Sequence, residues 1–133
     1  MTTANILIVE DEMLVAWEMQ AILEDHGYGC AGIAPDLATA ERYFEQKLDL
    51  ALVDLNLRDG LTGPQIGRRL CRAGTQVIFI TANPGQIGEG VAGTIGVLTK
   101  PTDGDTLISA VSYALACRAG RPAEPPPRLQ LFG

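Results

Sequence analysis

DLALVD, residues 49–54, decides the fold. Four consecutive apolar residues, Leu50 to Val53, stand between two aspartates. A strand with one wet face alternates polar and apolar residues, whereas an unbroken apolar run this short belongs to a strand buried on both faces. NILIV (5–9), QVIFIT (76–81) and IGVLT (95–99) repeat the pattern, and GCAGIA (29–34) is a weaker version of it. Each of the four stronger runs ends on a polar residue able to do chemistry: Glu10-Asp11, Asp54, Thr81 and Lys100. An open parallel sheet binds its ligands beyond the carboxyl ends of its strands, so these side chains are expected at one edge.

The segments between the runs read as helices. Residues 12–26 place Val15, Met19, Ile22 and Leu23 on one face, and Gly27 follows as a left-handed cap. Asp36 caps a helix expected to run to about Gln46, with Leu37, Ala40 and Phe44 inward. Pro64 suits the start of a third helix, with Ile66 and Leu70 inward and Arg68, Arg69 and Arg72 outward. NPGQIGEGVAGT (83–94) carries four glycines and a proline and supports little helix. Residues 103–118 form the last helix, with Ile108, Val111 and Leu115 inward. Five strands alternating with five helical segments predict an α/β domain with a five-stranded, doubly wound parallel sheet. The domain is expected over 1–119, and the proline-rich 120–133 as an extended, flexible tail.

Composition narrows the function. The 133 residues suffice for one domain with its own core, and 47% apolar content argues against disorder. A net charge of −6 disfavours nucleic acid and anionic membrane surfaces, so neither direct DNA binding nor membrane association is expected. Met1 to Asn5 lead straight into the first strand without signal-peptide character, and a cytoplasmic location is expected. Cys30, Cys71 and Cys117 lack metal-ligand spacing and read as reduced thiols in or near the core. Trp17 and Tyr28 read as packing residues, Asp59 and Asp103 as loop or cap residues, and His26 as a helix-end residue.

Taken in order, VEDE (9–12), LVDLNL (52–57), FITA (79–82) and LTKP (98–101) resemble the receiver domain of two-component response regulators over roughly residues 5–118. The loop DLNLRDGLTG is most similar to that of stand-alone receivers, of the flavodoxin-like arrangement. The resemblance implies that Asp54 accepts a phosphoryl group. It also implies that Glu10, Asp11, Asp54 and the backbone carbonyl of Asn56 hold Mg2+. Thr81 and Lys100 would contact phosphoryl oxygens, and the peptide before Pro101 would be cis. These residue types fit the chemistry: phosphoryl transfer needs a nucleophile, a cation to gather charge, and fixed donors. The implied partners are a sensor histidine kinase or phosphotransfer protein and a protein output target, with the domain a monomer or weak dimer. Asn56 and Asn83 match positions that flank the attacking water in relatives.

Three departures accompany the match. Val97 stands where receivers commonly carry an aromatic switch residue three positions before the lysine. The interval from Thr81 to Lys100 is a few residues short, and the loop after Asp54 carries Arg58 in place of the usual proline. Three other readings compete. An aspartate-dependent phosphatase usually has a second aspartate two residues after the nucleophile, where this chain has Asn56; turnover of a phosphate ester discriminates. A flavodoxin-like electron carrier needs a Ser/Thr/Gly phosphate loop, where this chain has Glu10-Asp11-Glu12. The third is a receiver fragment of a larger regulator, with the tail as a linker.

Overall fold

Five apolar runs form the parallel strands β1 (Asn5–Val9), β2 (Gly29–Ala34), β3 (Leu50–Val53), β4 (Gln76–Thr81) and β5 (Gly96–Thr99). The structure is a computed structural model that describes residues 3–132; Met1, Thr2 and Gly133, at the ends of the expected domain and tail, lie outside the described residues. A sixth strand, β6 (Gln130–Leu131), is antiparallel to β5, and the lateral order is β2-β1-β3-β4-β5-β6.

Strict alternation along the strands sends side chains to two cores. Leu7, Val9, Ala51, Val53, Val77, Phe79 and Val97 face α2 (Leu37–Glu41) and α3 (Gly63–Arg72). Ile6, Ile8, Leu50, Leu52, Ile78, Ile80 and Leu98 face α1 (Met13–Asp25) and α4 (Gly104–Arg118). Both faces are covered, which is why the runs carry no polar alternation. The helix starts are set locally. Asp36 and Asp103 accept the N–H of Thr39 and Thr106 at 2.8 and 2.7 Å, and Pro64 lies in the first turn of α3. Gly27 takes a φ of 84° after α1, the left-handed stop that glycine makes at little cost.

Three expectations change, and one about the glycine-rich segment holds. The helix after Asp36 stops at Glu41, and Arg42, Tyr43 and Phe44 continue as tighter turns, each N–H bonding the carbonyl three residues back. As its glycines lead one to expect, the segment 83–94 holds only a single 3-10 turn, Pro84–Ile87. Trp17 does not pack: it is 56% exposed on α1, beside Leu14 at 78%. The tail, expected to be mobile, docks through its last residues. Leu129 is buried, and the Phe132 ring lies 6.3 Å from that of Phe79. Without β6, β5 would end the sheet with a row of unpaired backbone groups, which two paired residues now cover.

Candidate functional site

Strand register sets the site. Val9 lies opposite Val53, Val53 opposite Phe79, and Thr81 opposite Thr99. Pairing continues one residue further: the Asp54 N–H donates to the Val9 carbonyl at 2.9 Å and the Lys100 N–H to the Thr81 carbonyl at 2.8 Å. Glu10, Asp54 and Lys100 therefore leave the sheet together at its carboxyl edge.

One carboxylate oxygen from each of Glu10, Asp11 and Asp54 lies within 4.8 Å of the other two. Glu10 and Asp54 are buried, and buried charge must be paired and hydrogen-bonded. The pairing is complete here. Lys100 Nζ donates to Glu10 Oε1 at 2.5 Å and to Asp54 Oδ2 at 2.8 Å. Glu10 Oε2 accepts the N–H of Asp11 and of Glu12 at 3.0 and 3.2 Å, and Asp54 Oδ1 accepts the Leu55 N–H at 2.7 Å. Burial pushes the Glu10 carboxyl above its ordinary pKa, despite the opposing hydrogen bond from Lys100. Burial pulls Lys100 down, but its bonds to Asp54 and Glu10 outweigh that, and its pKa stands above the ordinary lysine value. The ammonium thus stays charged and balances part of a more negative pocket.

The donor set suits a hard divalent cation. All three converging side chains offer carboxylate oxygens, without thiolate or imidazole, and a single ammonium leaves negative charge in excess. Thr81 is fully buried, and its Oγ1 accepts the N–H of Asn83 at 3.1 Å. The side chain of Asn56 donates to Gln86 Oε1 at 2.6 Å. The Lys100–Pro101 peptide is cis.

Several contributors were not visible as site residues in the sequence. Gly63, at the start of α3, presses on the loop after Asp54: a Cβ there would lie 2.0 Å from the Asp54 carbonyl oxygen and 2.5 Å from Leu55 Cα. Arg58 bonds Asp36 through both Nε and a terminal nitrogen, and Asp59 accepts the Leu37 N–H at 3.0 Å, so the loop after Asp54 is tied to the cap of α2. Only contacts across 22 residues show this. Other sequence candidates lie away from the cluster. His26 is exposed with Nδ1 2.9 Å from the Ile22 carbonyl, and Cys117 is exposed rather than in the core, while Cys30 and Cys71 are half-buried.

The fold recurs in known proteins. The response regulator receiver domain family model matches residues 6–112. The chain is 35% identical to the phyllosphere-induced regulator PhyR of Methylorubrum extorquens over 83 residues, 60% of this chain and 31% of that protein. Protein PilH of Pseudomonas aeruginosa is 32% identical over 127 residues, 85% of this chain and 98% of PilH. The chain spans about a third to a half of the first curated relatives it matches, 31% of PhyR and 49% of a CseB transcriptional regulatory protein from Streptomyces coelicolor. The solution structure of the PhyR receiver domain of Erythrobacter litoralis superposes with a TM-score of 0.79 at 28% identity, covering 92% of this chain and 97% of that one. No helix among the described residues is long and apolar enough to cross a membrane. With the family model spanning most of the chain and the acidic cluster at the carboxyl edge of the sheet, this chain belongs to the response regulator receiver domains of two-component signalling.

Proposed function

We propose that Asp54 takes a phosphoryl group from a phosphohistidine on a sensor histidine kinase or phosphotransfer protein, and that the domain acts as a cytoplasmic switch on a protein target. The observation that carries this is the contact of Lys100 with both Asp54 and Glu10 in a pocket that gathers three carboxylates. A carboxylate oxygen of Asp54 attacks phosphorus, a P–O bond forms, and the P–N bond to the donor imidazole breaks with its electron pair staying on nitrogen. Glu10, Asp11, Asp54 and the Asn56 carbonyl would hold Mg2+, which would supply positive charge beside the phosphoryl oxygens. Lys100 releases Asp54 Oδ2 and turns its ammonium to a phosphoryl oxygen, remaining paired with Glu10. Thr81 donates its hydroxyl to another. Water later attacks phosphorus, the P–O bond to Asp54 breaks, and the carboxylate and inorganic phosphate are released.

The domain performs only this self-directed transfer and hydrolysis and turns over no other substrate. Exposed Leu14 and Trp17, in the first two turns of α1 and next to Asp11, give a phosphodonor an apolar surface to dock on. Incubation with a panel of phosphorylated histidine kinases and phosphotransfer proteins tests the reading. Wild type should acquire label from one donor and Asp54→Asn from none. Equal labelling of the two would reject the assignment of Asp54.

A further inference from the structure

The docked tail sits on a seat made for it. Gly96 lies so close to the tail that a Cβ would stand 2.3 Å from the Gln130 carbonyl oxygen, and Gly90, at a φ of +103°, would place one 2.5 Å from the Phe132 ring. The Phe132 N–H donates to the Ile95 carbonyl at 3.1 Å, and its ring joins the buried cluster of Phe79, Ile87, Val91 and Val97. Leu129 enters the opposite core, so the tail grips both faces of the β5 edge.

Part of this seat belongs to the 83–94 segment, and two hydrogen bonds tie that segment to the site. The Asn83 N–H rests on Thr81 Oγ1, and Gln86 Oε1 accepts from Asn56, two residues beyond Asp54. Gly90 and Val91, further along the same segment, wall the Phe132 ring. A cavity of about 310 Å3, lined by Gly90, Val91, Thr94 and Phe132, opens beside the ring and leaves it room to move. If the Thr81 side chain rotates to bring its hydroxyl to a phosphoryl oxygen, Oγ1 moves away from the Asn83 N–H that it accepts, and a displaced Asn56 loop gives up Gln86. The glycines and single 3-10 turn offer little resistance to the shift that follows.

We propose that residues 129–132 are a strap, seated on the β5 edge while Asp54 is unmodified, and that a phosphoryl group on Asp54 loosens it through the 83–94 segment, uncovering the edge strand and the Phe79 seat. This rests on the phosphorylation reading of Asp54. Because coupling between two sites is reciprocal, a strap that opposes the phosphorylated form must weaken binding of a phosphoryl mimic by the factor that the mimic loosens the strap.

The test uses the full chain with magnesium and beryllofluoride, followed by calorimetry and by amide hydrogen exchange. Phe132→Ala should bind beryllofluoride about fivefold more tightly than both wild type and Leu131→Ala, a substitution at an exposed tail residue, and beryllofluoride should speed wild-type exchange at the Phe132 amide about fivefold. Binding with unchanged Phe132 exchange overturns the strap, as does an affinity of Phe132→Ala equal to or weaker than that of Leu131→Ala. Absence of beryllofluoride binding in all three proteins overturns the phosphorylation reading itself, and the strap with it.

Discussion

Lys100→Met isolates the electrostatics of the site. The Lys100 side chain is only 15% exposed and its ammonium bonds two buried carboxylates, so methionine fills similar volume but leaves Glu10 and Asp54 facing each other without a cation. Removing one partner of a buried ion pair costs about 3–5 kcal/mol. The lower end applies, because burial holds the Glu10 carboxyl above its ordinary pKa, so that it takes up a proton more readily than a free carboxylate when the repulsion is left uncompensated. A loss of about 3 kcal/mol should lower the melting temperature by roughly 10 °C for a domain of this size. That drop should be measured by calorimetry at neutral pH in excess chelator. Magnesium at millimolar concentration should then raise the melting temperature of Lys100→Met more than that of wild type, since the ammonium and the metal balance the same charges. An unchanged melting temperature in chelator would refute the reasoning, as would a smaller magnesium increment in the variant than in wild type.

Three further outcomes are expected. Wild type should melt at a higher temperature in millimolar magnesium and Asp11→Ala should not, and a wild type indifferent to magnesium would remove the case for a metal. Gly63→Ala forces a Cβ to 2.0 Å from the Asp54 carbonyl oxygen and should cost about 2 kcal/mol while slowing phosphorylation; thermal unfolding and labelling rates read both effects. Asp36, held down to about 2 by the Thr39 N–H and hydroxyl and by Arg58, should stabilise the fold fully above its ordinary pKa of 3.8. That contribution is lost as pH falls from there through about 2, so the stability difference between wild type and Asp36→Ala should shrink over this range in acid titrations of unfolding.

Strand and site were legible for one physical reason. Burial on both faces writes itself into local composition, so β1, β2 and β4 fall on the residues that the apolar runs predict. The residues at the carboxyl ends of β1, β3, β4 and β5, namely Glu10, Asp54, Thr81 and Lys100, then follow from sheet topology alone. What sequence could not supply was tertiary. The prolines after Gly120 suggested a free tail, but the sheet edge left by β5 and the small residues Gly90 and Gly96 create a seat that no local pattern announces. Likewise, Trp17 looks like a core residue by chemistry, and only the angular position of α1 leaves it in solvent. The Arg58–Asp36 bond and the pressure of Gly63 on Asp54 join segments whose proximity the fold alone decides.

The most direct test of the central claim is the position of the phosphoryl group. The chain is incubated with magnesium and a phosphorylated donor, the acyl phosphate is reduced with borohydride, and peptides are sequenced by mass spectrometry. An aspartyl phosphate reduces to homoserine, expected at position 54 and nowhere else, and only when magnesium is present. Homoserine at another aspartate, or a phosphoryl group carried on a histidine or serine, would contradict Asp54 as the acceptor.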